Sequence, residues 1–492
     1  LPGLYQCVAS GGRALLFNSG IFLAFFAIVY LVYLLLGRRV QWQNGLLLVS
    51  SYYFYGRWDW RFLSLIVVST LVDFFVGRAI GAIPADTPAN QAQRKRLLIL
   101  SMLINLGILG FFKYFDFFAT SFADLFNLVG FHADPVTLEI ILPVGISFYT
   151  FQTMSYTIDI YRQQLKPTTD LLDFAVFVAF FPQLVAGPIE RAVSLLPQVA
   201  HPRRITAEQI NTGFYLVIWG YFKKMVIADN VGVLADSVFN NYSSLEGLAI
   251  LLGVLAFALQ IYGDFSGYSD IARGISRLMG FELMVNFRLP YFALNPTDFW
   301  QRWHVSLSSW LRDYLYIPLG GNRQGKWRTY RNLLLTMLLG GLWHGAAWNF
   351  VIWGGFHGAI LILYRLLEKR PIYQNPWGGE FNKLVVLVRM MLMFCLTLIG
   401  WLIFRSHSVA QIGYMLTHAS FKVSSFSLIL LAEIVFFSFP LVLIEIYQYM
   451  SRDLLLLTRL PTLMRIIVYG LIIIWTLIFG ARESLEFIYF QF

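Results

Sequence analysis

Long apolar runs constrain this chain more than any other feature. Leu15–Leu36, Leu97–Phe112, Leu248–Tyr262, Leu384–Phe404, Ser427–Ile446 and Ile466–Phe479 are each almost free of charge. A bilayer crossing needs about 20 apolar residues in a helix, whereas a membrane barrel shows shorter alternating strands. The chain is 58% hydrophobic and only 13% charged, against about a quarter charged in soluble domains. The expectation is an all-α polytopic membrane protein with roughly ten to twelve spans plus re-entrant and interfacial helices. The net charge of +10 fits Lys and Arg gathered in cytoplasmic loops and gives no reason to expect nucleic acid. Cys7 and Cys395 lie far apart, which argues against a disulfide framework or a cysteine metal site.

Several pieces depart from simple spans. Gly45–Tyr55 and Phe62–Val76 flank GRWDWR at 56–61, an aromatic stretch suited to an interface. Gly81–Arg96 reads as a cytoplasmic loop closed by Arg94, Lys95 and Arg96, and Phe115–Val129 as an interfacial helix. Leu171–Val185 runs into the Gly187–Pro188 pair, so a re-entrant or half-spanning segment is expected there. Residues 1–14 are neither apolar nor patterned and read as a non-native or dispensable extension. The remainder, 15–492, reads as one domain.

Three of the seven histidines lie between Pro296 and Gly358. His344 sits in an almost wholly apolar run, where an ionisable side chain is costly and marks a functional site. A neutral imidazole bonded to a backbone carbonyl is the structural alternative. His357 repeats the setting, since GGFHGA at 354–359 echoes GGLWHGA at 340–346. The echo suggests two helix ends with similar packing, with the two histidines at different levels. His304 falls in Phe299–Tyr316. Read as one helix, Trp303, Leu307, Trp310, Leu311 and Tyr314 form an apolar stripe, and Arg302, Ser306, Ser309 and Asp313 fall away from it. That helix could line a cavity or lie at headgroup level. His132, His201, His407 and His418 read as surface residues.

No two histidines lie within a helical turn or two of each other, so no metal site is expected. No GxSxG or P-loop occurs either. Buried imidazole suited to general-base work is what remains. Arg323, Lys326, Arg328 and Arg331 form a basic loop with no acid; topology accounts for it, and a dock for a phosphate-bearing donor is compatible. Asp264 and Asp270 are expected to pair with Arg273 or Arg277 in a structural network.

The stretches Gln260–Gly274, Asn286–Arg323 and Thr329–Gly358, with Leu142–Arg162, Phe181–Arg191, Leu15–Phe26 and FIYFQF at 487–492, resemble the membrane-bound O-acyltransferase family. The likeness is to its bacterial branch that acetylates alginate, peptidoglycan or cellulose. The resemblance implies a ring of tilted helices around a thinned centre and a tunnel. It implies catalytic His344 in the WHG context and His304 in the RWH context, with His357 less central. Trp303, Trp310, Asp313, Tyr314, Asn322, Arg323, Trp343, Asn349 and His357 are then candidates for donor binding or for lining the tunnel. It further implies acyl transfer from a cytosolic thioester, acetyl-CoA as donor with no bound cofactor, and location in the bacterial inner membrane. A periplasmic SGNH-type transferase partner and a polysaccharide acceptor follow from the same likeness. The alternative is a transporter or scaffold of a polysaccharide-modification complex with no chemistry of its own.

Overall fold

The computed structural model describes residues 15–138, 140–184, 187–367, 381–481 and 487–488. The expectation for residues 1–14 lies outside the described residues. Helices dominate; among the described residues the only β pairing is an isolated bridge between Gly247 and Ala419. Seven helical stretches are long and apolar enough to cross a membrane: Val40–Ala82, Pro88–Leu128, Leu248–Leu278, Trp348–Leu367, Lys383–Arg405, Ser425–Ser451 and Thr462–Phe479. Gly20–Leu35 adds a shorter apolar helix. The first two stretches each hold two successive helices, Val40–Asp59 with Leu63–Ala82 and Pro88–Leu109 with Phe115–Leu128. Many outward positions are large and apolar, among them Leu463, Leu471, Leu477 and Ile478 on the last of these helices. Water would penalise such a surface, and lipid does not. The chain is a multi-pass membrane protein.

The chain falls into two compact units. One takes the chain up to Phe214 together with Ala272–Met284; the other takes Tyr215–Ile271 and the chain from Val285 onward. In the first unit, the run at 171–185 is interrupted, but within the run rather than at the Gly187–Pro188 pair. Helix Leu171–Ala179 stops at Phe180, and a single turn, Phe181–Leu184, follows. Arg94 departs from its expected place in a loop. It lies inside helix Pro88–Leu109, buried, donating to the carbonyls of Ile160 and Tyr161 at 3.0 and 3.1 Å. The helix starts earlier than the charge pattern suggested because Thr87 caps it, accepting from the Asn90 N–H, with Pro88 at its first position.

The second unit carries all three central histidines. Its clearest pairing is the hairpin of Lys326–His344 and Trp348–Leu367. The glycine echo is what joins them. A Cβ on Gly341 would stand 2.1 Å from the Phe350 carbonyl oxygen, and one on Gly354 would stand 2.3 Å from that of Met337. GGFHGA is therefore no helix end; it lies inside Trp348–Leu367, facing the GGLWH end of the preceding helix. Gly341→Val is expected to force the helices apart, because backbone cannot move aside like a side chain. Chromatography in detergent should show aggregated or absent protein for Gly341→Val. Gly355→Ala, whose added carbon meets nothing nearer than 3.6 Å, should elute as the wild type.

Candidate active site

His304 does not lie within one continuous helix. Pro296–Trp300 forms a short helix capped by Asn295, and a second helix starts at Val305. Residues 301–304 link them, and His304, the last of these, caps the second helix at φ 42° and ψ 55°. A non-glycine residue in this left-handed region carries strain of about 1–3 kcal/mol, which the surroundings must over-determine. Asn286 supplies much of that constraint. Its carbonyl accepts from the Val305 N–H at 3.0 Å, and its Oδ1 accepts from the Ser306 N–H and hydroxyl at 3.1 and 3.0 Å. Ser308 ties the two short helices together by donating to the Trp300 carbonyl at 2.7 Å. Ser306, expected on the polar side, is fully buried because it faces Asn286 rather than solvent. The bend also turns Trp303 inward, against Trp401 at 4.7 Å and Phe287 at 5.0 Å between ring centroids.

His344 is the last residue of its helix and His357 lies mid-helix; all three imidazoles are at most 4% exposed. The His304 and His344 ring centroids are 6.4 Å apart, with Trp343 touching both at 5.9 and 5.1 Å. Trp353 packs against His344 at 5.1 Å and against His357 at 4.6 Å, one turn along its own helix. His357 is otherwise enclosed by Phe299, Trp300 and Phe356. The near twins of the sequence thus separate: His344 faces His304, and His357 stands behind Trp353. Burial pushes the His304 imidazole down to about 3, so it is neutral near pH 7.

Among the other candidates, Trp303, Trp310 and Trp343 are buried. Trp310 lies against Tyr314 at 5.1 Å. Asp313 pairs with the exposed Arg312 at 2.7 Å. Asn349 donates to the Phe404 carbonyl at 2.9 Å, and the Phe404 ring lies 5.5 Å from His344, so Asn349 bears on the site through Phe404. Asn322 and Arg323 are exposed. Lys326, Arg328 and Arg331 belong to the opening turns of helix Lys326–His344 rather than to a loop, and all are exposed. Cations at a helix start oppose its dipole, so helix stability does not explain them.

Sequence reasoning did not pick out Asn286, Phe265, Trp401 or Phe404. None carries a sequence signal of its own, and only the chain path brings each to the site. The two aspartates are paired, and lysines that sequence reasoning did not name as partners serve them. Lys224 meets both Asp229 and Asp264 at 2.8 Å, and Lys223 meets Asp270 at 2.6 Å, while Arg277 pairs with Glu282. A close helix approach explains this: a Cβ on Gly267 would stand 2.9 Å from the Gly220 carbonyl oxygen, which brings the two lysines alongside.

In a multi-pass helical protein, His304 and His344 thus stand as two buried imidazoles with rings 6.4 Å apart. The pattern of MBOAT, the membrane-bound O-acyltransferase family, matches residues 161–404. The chain is 43% identical over 417 residues to the probable alginate O-acetylase AlgI of Pseudomonas aeruginosa, covering 84% of this chain and 76% of that protein. It is 40% identical over 381 residues to the peptidoglycan O-acetyltransferase of Helicobacter pylori, covering 71% and 70%. The teichoic acid D-alanyltransferase of Bacillus subtilis is more distant, at 27% over 275 residues, 53% of this chain and 68% of that protein. The chain belongs to the membrane-bound O-acyltransferase family and is an acyltransferase.

Proposed function

We propose that the protein takes an acetyl group from acetyl-CoA on the cytosolic side of the bacterial inner membrane and delivers it for O-acetylation of an extracytoplasmic polysaccharide. The observation that carries this reading is the buried pair, His304 and His344, with rings 6.4 Å apart. His344 acts as general base. It takes the proton from an acceptor hydroxyl as the oxygen attacks the thioester carbonyl; the C–S bond breaks, the thiolate leaves and takes up a proton. His304, neutral, donates a hydrogen bond to the carbonyl oxygen as negative charge develops there. The surrounding tryptophans exclude water that would hydrolyse the thioester. The exposed Arg323, Lys326, Arg328 and Arg331 favour the phosphates of the donor. The likeness to the alginate branch of the family favours a periplasmic SGNH-type transferase as the acceptor or relay. The Pseudomonas and Helicobacter relatives, a probable alginate O-acetylase and a peptidoglycan O-acetyltransferase, support acetyl and a surface polymer over D-alanine.

The test uses purified protein in proteoliposomes with acetyl-CoA on one side, the hydroxyl-bearing acceptor (polysaccharide or SGNH-type transferase) on the other, and thiol release as the readout. Release should be saturable and should fall by at least about tenfold in His304→Ala, as loss of a donor to a developing oxyanion costs about 10²–10³-fold in well-studied enzymes. Thiol release at the same rate from His304→Ala would overturn the role of His304. No release from any acyl-CoA would overturn the donor.

A further inference from the structure

We infer that Phe487 and Ile488 form a positioning element for His304. The proposal rests on the catalytic reading of His304 and adds what holds its ring in place. Both residues are buried, at 0% and 2% exposure. They come from the aromatic FIYFQF stretch that the proposed chemistry leaves without a role.

Two neighbouring residues on helix Leu248–Leu278 receive them. The Asp264 carboxylate accepts from the Ile488 N–H at 2.7 Å, and its other oxygen meets Lys224 at 2.8 Å. The ring of Phe265 takes Phe487 edge-to-face, with centroids 5.6 Å apart and planes at 65°. Tyr268, one turn further along, packs on Phe487 at 4.5 Å. Phe265 in turn meets the His304 ring edge-to-face at 4.6 Å and 77°. It also packs on Phe287 at 5.0 Å, which lies against Trp303. Phe265 is thus a wedge with Phe487 on one side and His304 on the other.

An edge-to-face contact restricts rotation of a ring about its own axis. His304 already occupies a left-handed backbone conformation, so its imidazole depends on packing for its aim. Deleting the Phe487 ring opens a cavity behind Phe265. Close-packed interiors fill such a gap by letting neighbours shift, and a shift of about 1 Å can cost up to about 100-fold in rate.

The experiment measures thiol release from acetyl-CoA by the full chain in proteoliposomes supplied with the same hydroxyl-bearing acceptor. Phe487→Ala, Phe487→Leu and Ile488→Pro, which removes the N–H that Asp264 accepts, are made alone and in a His304→Ala background. Phe487→Ala should lower kcat by about 10- to 100-fold with the donor KM within about twofold. Phe487→Leu, which refills most of the cavity, should recover much of the rate. In the His304→Ala background the same changes should cost nothing further, since the group they aim is gone. Unchanged kcat in folded Phe487→Ala, no recovery in Phe487→Leu relative to Phe487→Ala, or an equal further loss in the His304→Ala background, overturns the positioning role. His304→Ala turning over at the wild-type rate would instead sink the catalytic reading itself. The two failures are therefore told apart in one set of variants.

Discussion

His344→Ala is expected to lower the rate of acyl transfer by roughly 10²–10⁴-fold, the range lost when a positioned general base is removed. The donor KM should change little, because the imidazole is asked to act on the acceptor proton rather than to bind the thioester. The measurement is thiol release from acetyl-CoA by protein whose elution in detergent matches the wild type. His344→Gln separates the two readings of this residue. If His344 merely fills space and satisfies a backbone group, glutamine keeps a hydrogen bond and much of the volume, and turnover survives. If it moves a proton, glutamine is as inactive as alanine, since an amide does not accept a proton near neutral pH. The companion His357→Gln should keep most of the activity. That ring lies behind Trp353, against Phe299 and Trp300, and does not face His304. A dead His357→Gln beside an active His344→Gln would invert the ranking and overturn the assignment.

That ranking shows where the sequence stops being legible. Apolar run length is enough to read a helical membrane protein, because the bilayer fixes the length a span must have. The WHG and RWH contexts mark His344 and His304. Their facing geometry is another matter. It depends on the chain bending at His304, and no local signal announces a histidine in the left-handed region, since glycine or asparagine is the usual occupant. The stripe read across Phe299–Tyr316 placed Trp303, Leu307, Trp310 and Leu311 inward correctly, but it assigned Ser306 to the polar side. The error arises because Asn286, far off in sequence, supplies the buried polar partner. Similarly, Asp264 and Asp270 were readable as buried acids in need of cations. Which cations serve them depends on how closely two helices approach at Gly220 and Gly267, and spacing along one helix cannot report that. Asn349 is a candidate through the family likeness; its bond to the Phe404 carbonyl, with the Phe404 ring beside His344, is a tertiary fact.

The largest stability effect should come from Lys224→Met. The Lys224 ammonium lies 2.8 Å from a carboxylate oxygen of Asp229 and 2.8 Å from one of Asp264, with side-chain exposures of 1%, 2% and 4%. Tyr268 lies beneath it, its ring centroid 5.7 Å away. Removing the cation strands two buried acids that now repel each other, and breaking a buried pair in this way costs about 3–5 kcal/mol. That is a large fraction of a typical folding free energy. The effect should appear as a marked fall in the temperature at which the protein leaves its monodisperse peak in detergent. Lys422→Met is the control. Its partner Glu246 is exposed, both side chains are more than half accessible, and so exposed a pair contributes little to stability. The triple variant Lys224→Met, Asp229→Asn, Asp264→Asn discriminates further. It removes all three charges together, while the amide oxygen introduced by Asp264→Asn can still accept from the Ile488 N–H. If the cost of Lys224→Met is uncompensated charge, the triple variant recovers most of the lost stability. If the lysine stem packs irreplaceably between the helices that meet at Gly220 and Gly267, the triple variant is no better than the single. The electrostatic account would then be wrong.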